Sequence, residues 1–351
     1  MTGKEIHTEV INGGVLTSHK GINVPDSKLT VRALTDKDKK DARFAIEQGV
    51  DLIALSFARK GSDILDLKYL LEEYEKDLKI NPSASSGIAF QPIRIIAKIE
   101  QQEAVKNIKE ILDVADGIMV ARGDLGIEIP AEEVPLVQKR LIDEALLYAK
   151  PVIVATQMLD SMQNNPRPTR AEVSDVANAV IDHADALMLS NETAVGKYPV
   201  ETVVMMASII VETEKSVYDN LTLGKYLKKK KKVDEVVTEM SRLLAEEVGA
   251  KMILAASISG ETARLISRYR PELPIAVATS TERVKNQLSL SWGVLPFMLQ
   301  PCKTIEELIE RSIVYLKKFQ WVERGDKIIV VSGEPVGASG HVNLLEVREV
   351  K

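Results

Sequence analysis

Residues 94–100, RIIAKIE, and residues 117–128, GIMVARGDLGIE, decide the fold of this chain. Each begins as a short apolar run rich in β-branched residues, which is typical of a buried strand in a parallel sheet. Because side chains alternate along a strand, we expect Lys98 and Glu100 to face the same side. Asp124 follows the second strand between two glycines, where backbone N–H groups can approach a ligand closely. A lysine and two carboxylates at neighbouring strand ends indicate a metal-dependent phosphoryl or enolate site. A buried lysine–glutamate pair that only closes a strand end is the alternative.

Strand-type and helix-type segments alternate from about residue 34 to residue 217, which is the sequence pattern of βα units around a parallel sheet. Thr169 and Glu172 form a capping-box pattern before one apolar helical stripe, and Thr35 with Asp38 forms a weaker one. Five strands are fewer than the eight of a closed barrel, so an incomplete barrel and an open sheet both remain open. The predicted strands end in polar or small residues and span 51–57, 94–99, 117–121, 151–155 and 186–189.

A lysine-rich run at residues 225–232, KYLKKKKK, marks a change of composition that we interpret as a solvated linker. A second α/β pattern follows it, with strands predicted at 252–256, 275–278 and 327–331 and a helix capped by Thr304. We therefore place a domain boundary between about residues 220 and 236. Residues 9–21 resemble two short strands around a Gly-Gly turn, which would need a larger body to pack on.

Composition limits the class of protein. The 351 residues are enough for two domains with full cores. The formal net charge of −5 gives no reason to expect nucleic acid or an anionic membrane as a partner. No apolar stretch has the length of a membrane span, and the first residues lack a signal-peptide core. The single cysteine, Cys302, excludes a disulfide within this sequence and fits a reducing cytoplasm. We expect a soluble cytoplasmic protein.

Seven motifs, in this order and over nearly the whole chain, resemble pyruvate kinase: KGINVP at 20–25, DLIALSFAR at 51–59, KIE at 98–100, ARGDLG at 121–126, ATQML at 155–159, PTRAE at 168–172 and LSNETA at 189–194. The resemblance implies an α/β fold in which a partial (β/α)₈ TIM-type barrel, strands four to eight, precedes a C-terminal three-layer α/β domain. It implies a lid-domain remnant at 1–25, a catalytic barrel domain at 26–222 and a regulatory domain at 223–351. The implied reaction is phosphoryl transfer from phosphoenolpyruvate to ADP, which gives pyruvate and ATP.

By the same resemblance, Lys98 matches the catalytic lysine of the family. A cation there would stabilise the negative charge of the moving phosphoryl group and of the enolate. Glu100 and Asp124 match the carboxylates that hold Mg²⁺ or Mn²⁺. The N–H groups of Gly123 and Asp124, which we place before a helix entering at residue 131, would bind the substrate carboxylate.

Thr156 matches the threonine beside the methylene carbon of the substrate, and Ser190 would extend its path for the proton. Capping of nearby backbone is the alternative for both hydroxyls. The C-terminal domain resembles the regulatory domain, which implies a sugar-phosphate or nucleotide effector, with a plain helix cap as the alternative. A second loop of this kind lies at 332–337. The expected phosphate loop contains Ser257, Ser259, Gly260 and Thr262.

The chain departs from the family pattern in several respects. This sequence has no counterpart of the family's first three barrel strands, of most of the lid domain or of the segment with the K⁺ ligands. Gln101 stands where the family usually has asparagine, and Asn191 stands where it usually has glycine. We therefore expect an isolated chain of low or no activity, in a homo-oligomer (a tetramer in the family) or with a complementing N-terminal chain. Two other functions stay open: a metal-dependent aldolase or lyase acting on pyruvate enolate, and a non-catalytic partner of a full-length pyruvate kinase.

Overall fold

The computed structural model describes residues 7–15, 18, 33–78, 91–222, 232–333 and 342–351. Residues 1–30 form one compact unit and residues 31–351 form another. In the first unit, residues 7–15 are exposed and have no regular secondary structure. The prediction of a strand before the Gly-Gly turn is therefore wrong. Three other predicted segments lie largely outside the described residues. They are the strand after the Gly-Gly turn, the lysine run, of which only residue 232 is described, and the loop at 332–337.

Five parallel strands form the first sheet in the order β1-β2-β3-β4-β5. The strands are Leu52–Leu55 (β1), Arg94–Ile99 (β2), Gly117–Ala121 (β3), Val152–Ala155 (β4) and Ala186–Met188 (β5). β2 and β3 have the predicted bounds, whereas the other three are shorter than predicted. Helices follow each strand, as in the βα units of a TIM-type barrel, and this part of the predicted fold class is confirmed.

Two helices of this part begin where the capping signals indicate. Thr169 accepts a hydrogen bond from the N–H of Glu172 and the carboxylate of Glu172 accepts one from the N–H of Thr169, so the predicted capping box is present. Thr35 and Asp38 form another. The helices are Asp36–Glu47 (α1), Gly61–Asp77 (α2), Gln102–Lys106 (α3), Ile108–Val114 (α4), Arg122–Glu128 (α5), Val134–Leu147 (α6), Arg170–Ile181 (α7), Asn191–Ala194 (α8) and Pro199–Glu214 (α9).

The second sheet has the order β10-β9-β6-β7-β8, and among these described strands only β10 is antiparallel to its neighbour. Helices α10, α11 and α12 bury apolar side chains on one face, and α13 does so on the other, which makes the predicted three layers. The elements are Val233–Glu247 (α10), Met252–Ala256 (β6), Glu261–Ser267 (α11), Ile275–Thr279 (β7), Glu282–Leu288 (α12), Val294–Met298 (β8), Ile305–Lys318 (α13), Lys327–Ser332 (β9) and Leu344–Glu349 (β10).

Two strands of this sheet, β8 and β10, were not predicted from the sequence, and both lie at its edges. Pro296 lies inside β8, and proline is tolerated in a strand at a sheet edge because its missing N–H faces away from the neighbour. Thr304 caps α13 as predicted, but the carboxylate of Glu307 returns to the N–H of Lys303 instead of that of Thr304. No described helix is both long and apolar enough to cross a membrane.

The amino-terminal ends of the first-sheet strands contact the C-terminal part. The carbonyl of Asp51, before β1, accepts a hydrogen bond from Gln287 at 3.0 Å. Asp185, before β5, pairs with Arg270 at 3.0 Å and accepts the N–H of Trp292 at 3.0 Å. Because the strands are parallel, their carboxyl ends lie at the opposite edge of the sheet, away from this interface.

Candidate functional site

Lys98 and Glu100 are in contact at the carboxyl end of β2. The Nζ atom of Lys98 lies 2.5 Å from Oε1 of Glu100, as expected for side chains that face the same side. The other carboxylate oxygen, Oε2, accepts the N–H of Phe57 at 2.7 Å, and Lys98 also donates to Oγ of Ser56 at 2.9 Å. Glu100 is only 3% exposed. The loop after β1 therefore joins the end of β2 in one polar cluster.

Three residues of the strand-end loops have left-handed backbone geometry without being glycine. Phe57 has φ of 56°, Thr156 has 71° and Gln157 has 54°. Such geometry costs of order 1–3 kcal/mol each and persists where the surroundings enforce it, which is frequent at functional sites. The loops after β1 and β4 are therefore the strained ones at this edge.

Gly123 and Asp124 lie in the first turn of α5, not in a loop before a helix that enters at residue 131. That prediction is wrong: residues Ala131–Glu133 form a 3₁₀ turn and α6 begins at Val134. α5 starts directly after β3 without any side chain that caps it, so the sequence carried no start signal. The first N–H groups of a helix have no partner within the helix, and that of Gly123 donates to a side chain outside α5. Asp124 is exposed there.

Thr156 meets Gly123 across the strand ends. Its Oγ1 accepts the N–H of Gly123 at 2.8 Å and donates to the carbonyl of Ala155 at 2.6 Å. A Cβ atom at Gly123 would lie 3.3 Å from that hydroxyl oxygen, so glycine permits the close approach. The structure thus brings two predicted substrate-binding residues together, and in it the hydroxyl of Thr156 caps nearby backbone.

Ser190 lies at the end of the next strand and is linked to the Thr156 loop through Glu192. The carboxylate of Glu192 accepts the N–H of Ser190 at 2.8 Å and that of Leu159 at 3.3 Å. Glu192 is 1% exposed, so a buried carboxylate connects the segments after β4 and β5. Sequence reasoning missed this residue. An acidic residue in the first turn of a short helix after a strand was the available signal.

Arg122 is a second residue that sequence reasoning missed. Its guanidinium donates to the carbonyl of Thr156 at 2.7 Å, to that of Gln157 at 3.3 Å and to the carboxylate of Asp175 at 2.7 Å. The side chain is 9% exposed. It holds the two left-handed residues of the loop, and a planar five-donor group suits this because it binds several carbonyls at once. Its place beside Gly123 in the ARGDLG motif was the signal.

The predicted phosphate loop lies at the interface between the two sheets, far from Lys98 along β2. Gly260 has φ of 80° and precedes α11, and Ser257 is 7% exposed. The carbonyl of Ser259 accepts hydrogen bonds from Arg94, which begins β2, at 3.2 Å and from Arg264 at 3.4 Å. The structure therefore does not join this loop to the strand-end cluster. It places the loop, including Thr262 in the first turn of α11, against the opposite edge of the first sheet.

Glu100 and Asp124 offer two carboxylates at neighbouring strand ends. Within the described ranges, no group of three or more histidine, cysteine, aspartate or glutamate side chains is arranged to hold a metal ion. Two carboxylates nevertheless suit Mg²⁺ or Mn²⁺, because these hard cations are commonly held by one or two carboxylates and complete their shell with water and substrate oxygens. The donor set present therefore fits a divalent cation of this kind.

Comparison with known proteins agrees with this arrangement. The family model described as "Pyruvate kinase, barrel domain" matches residues 1–203, and "Pyruvate kinase, alpha/beta domain" matches residues 235–348. A curated pyruvate kinase of Sporosarcina psychrophila is 45% identical over 100% of this chain and 58% of its own length. One of Geobacillus stearothermophilus is 44% identical over 99% of this chain and 57% of its own length.

A crystal structure of a pyruvate kinase from Cryptosporidium parvum superposes with a TM-score of 0.84 at 37% identity, over 94% of this chain and 64% of that one. The chain thus spans somewhat more than half the length of the first two curated relatives. The chain has a barrel-type sheet and a second sheet covered by helices on both faces, and it matches both domain models. The chain therefore belongs to the pyruvate kinase family.

Proposed function

We propose that this chain carries catalytic machinery for phosphoryl transfer from phosphoenolpyruvate to ADP. In that reaction the bond between the enol oxygen and phosphorus breaks, the phosphoryl group joins a terminal phosphate oxygen of ADP, and the enolate takes a proton at its methylene carbon. The observation that carries the proposal is the Lys98–Glu100 contact at the end of β2, beside the Gly123–Thr156 contact at the ends of β3 and β4.

Lys98 is the cation of the site. The transferring phosphoryl group and the enolate oxygen both develop negative charge, and a fixed ammonium group stabilises such charge best where water is scarce. Glu100 and Asp124 are the residues that would hold Mg²⁺ or Mn²⁺. When bound, such a cation supplies Lewis-acid stabilisation to the enolate and phosphate oxygens. The family's K⁺ has no ligand segment in this chain.

Gly123, Asp124 and Thr156 would orient the substrate. The first turn of α5 presents N–H groups and the positive end of the helix dipole, which together favour a carboxylate. The N–H of Gly123 already donates to Thr156, so the substrate carboxylate would share or replace that contact. The hydroxyl of Thr156, with Ser190 beyond it, would deliver the proton, because a hydroxyl can accept one hydrogen bond and donate another.

The methyl protons of pyruvate provide a test that needs no nucleotide. Their exchange with deuterium, followed by NMR with Mg²⁺ or Mn²⁺ present, reports formation of the enolate. We expect Lys98→Met to slow the exchange by about 10²–10³-fold, the usual loss for one preorganised electrostatic group. Lys106→Met is the matched control, because Lys106 is exposed and donates to Gln102 on α3. Equal exchange in the wild type and in Lys98→Met would contradict the proposal.

Phosphorylation of ADP by phosphoenolpyruvate is the assay for the complete reaction. Among the described strands, β1 and β5 each have a single neighbour, and the side chain of Lys98 between them is 24% exposed to water. Water weakens electrostatic stabilisation, and we expect slow turnover by the 351-residue polypeptide. Rapid turnover that Lys98→Met abolishes would contradict that expectation while supporting the reaction itself.

An anionic effector, a sugar phosphate or a nucleotide, is proposed for the loop that contains Ser257, Ser259, Gly260 and Thr262. Burial and the nearby Arg94 lower the pKa of Arg264 to about 10. Burial also lowers the pKa of Lys150, partly compensated by Asp116. Cations whose charge is disfavoured by burial gain from an added anion, although Glu261 opposes it. Isothermal titration calorimetry with a sugar phosphate tests this proposal. Saturable binding to the wild type that is lost in Arg264→Met would support it.

Self-association is also proposed. Val236, Met240 and Leu243 are 42%, 39% and 37% exposed and lie along one side of α10. Exposed apolar rows of this kind frequently mark contacts between subunits. Analytical ultracentrifugation of the wild type and of Met240→Glu would test it, with a shift toward the monomer expected for the variant.

The single Cys302 supports the cytoplasm as the compartment in which this function takes place.

A further inference from the structure

We propose that Lys98 serves as an internal counter-ion of Glu100 that a divalent cation must displace, so that binding of the cation and release of Lys98 toward the substrate are one event. The inference rests on the proposed function, because it takes Glu100 as a ligand of the cation. It adds a competition between Lys98 and the cation for the carboxylate of Glu100.

Each oxygen of the Glu100 carboxylate already has a partner. One oxygen lies 2.5 Å from the ammonium nitrogen of Lys98, and the other accepts the N–H of Phe57 at 2.7 Å. The residue is 3% exposed, so burial of its charge without a cationic or N–H partner would be costly. A divalent cation that bound Oε1 would lie about 2.0–2.1 Å from that oxygen. The ammonium nitrogen of Lys98 lies 2.5 Å from the same oxygen, so the two positive charges would repel each other at close range.

Lys98 is the partner that can yield. The N–H of Phe57 belongs to the backbone of a residue with φ of 56°, within the loop that connects β1 to α2. A shift there would move the chain itself. The side chain of Lys98 is 24% exposed and has four rotatable bonds, so its head can leave Oε1 at a small cost.

Ser56 keeps the released ammonium group at the site. Its Oγ accepts a hydrogen bond from Nζ of Lys98 at 2.9 Å, and that contact does not depend on Glu100. An ammonium group held there without its carboxylate has an unbalanced positive charge directed at the strand ends. A phosphorylated enol carries the opposite charge and would take the place of the lost partner. The exchange thus prepares the site for an anion only after the cation has bound.

The test is a double-mutant cycle on Mn²⁺ affinity, in which free Mn²⁺ is measured by electron paramagnetic resonance without any substrate. The four proteins are the wild-type chain, Lys98→Met, Glu100→Gln and the double variant. Because a partly buried ion pair no longer has to open, we expect Lys98→Met to bind Mn²⁺ about tenfold more tightly than the wild type. In the Glu100→Gln background the same change should alter the affinity by less than about twofold.

Each outcome decides the proposal. A gain of equal size with and without Glu100 would mean that Lys98 repels the cation from a distance, and it would overturn the competition. An unchanged affinity in Lys98→Met would overturn it as well, while leaving the metal site of the proposed function intact. If neither the wild type nor Lys98→Met binds Mn²⁺, the metal site itself fails and the inference with it. Lys106→Met controls for loss of a surface lysine, and Lys98→Gln replaces Lys98→Met if circular dichroism shows that the latter misfolds.

Discussion

Arg270 joins the second sheet to the amino-terminal edge of the first, and its replacement by methionine is the most informative stability test. Its guanidinium pairs with Asp185 at 3.0 Å and donates to the carbonyl of His183 at 2.7 Å. It also lies over the ring of Trp292, 5.5 Å from the centroid. The two charged side chains are 3% and 4% exposed. Truncation of Arg270 therefore leaves a buried carboxylate without its cation.

Removal of one partner from a buried ion pair costs about 3–5 kcal/mol, because the remaining charge stays desolvated. Asp185 keeps the N–H groups of Val152 and Trp292, each at 3.0 Å, so we expect the lower end of that range. Urea unfolding followed by circular dichroism gives the change in the free energy of unfolding. The fluorescence of Trp292, one of two tryptophans in the chain, reports on the interface itself.

Arg348→Met is the matched control. Arg348 makes two contacts of 2.8 Å with Glu306, but that glutamate side chain is 55% exposed, and such surface pairs contribute less than about 1 kcal/mol. The double variant Arg270→Met with Asp185→Asn should recover part of the loss, since no buried charge is then left unpaired. If Arg270→Met costs no more than Arg348→Met, the buried pair does not stabilise this interface in the way described.

Three further outcomes are expected. Burial, with Glu214 and Glu272 nearby, raises the pKa of Asp219 to about 6 from 3.8, so its contribution to stability is complete below pH 3.8 and is lost as pH rises through about 6. Asp219→Asn should therefore raise the free energy of unfolding by up to about 2–3 kcal/mol at about pH 8 and have little effect at about pH 4, in urea titrations at both values. A Cβ at Gly117 would lie 2.7 Å from Cδ1 of Ile96, so Gly117→Ala should lower the free energy of unfolding by about 1–3 kcal/mol. Gly126→Ala is the control: its Cβ would lie 3.8 Å from the nearest atom, and the free energy of unfolding should not fall. Arg122→Met should slow the methyl exchange of pyruvate at least about tenfold, with an unchanged circular dichroism spectrum. Arg122→Lys should recover only part of the exchange rate, since an ammonium group cannot bind the same carbonyls together. Equal rates in the wild type and both variants would refute the positioning role.

Local sequence was sufficient for the buried centre of each sheet. β2, β3 and β6 have the predicted bounds because strands covered on both faces are continuous apolar runs that stop where burial stops. The Thr169 capping box was equally readable, since all its groups lie within four residues. The edge strand β10 was missed because its partly exposed Leu344–Glu349 run includes charged residues. The strand expected before the Gly-Gly turn had a turn signal, but its apolar residues Val10 and Ile11 are 78% and 91% exposed and pack on nothing among the described residues.

The sequence by itself determined that Lys98 and Glu100 share one face of a strand and that Gly123 and Asp124 follow the next, because both facts depend only on chain order and on the two-residue period of a strand. Tertiary structure alone decided which groups these side chains meet. The N–H that Glu100 accepts comes from Phe57, 43 residues away, and the carbonyl that Arg122 holds belongs to Thr156, 34 residues away. Such pairs arise when parallel strands bring their carboxyl ends to one edge, and no local periodicity in the sequence encodes which loop residues will then face one another.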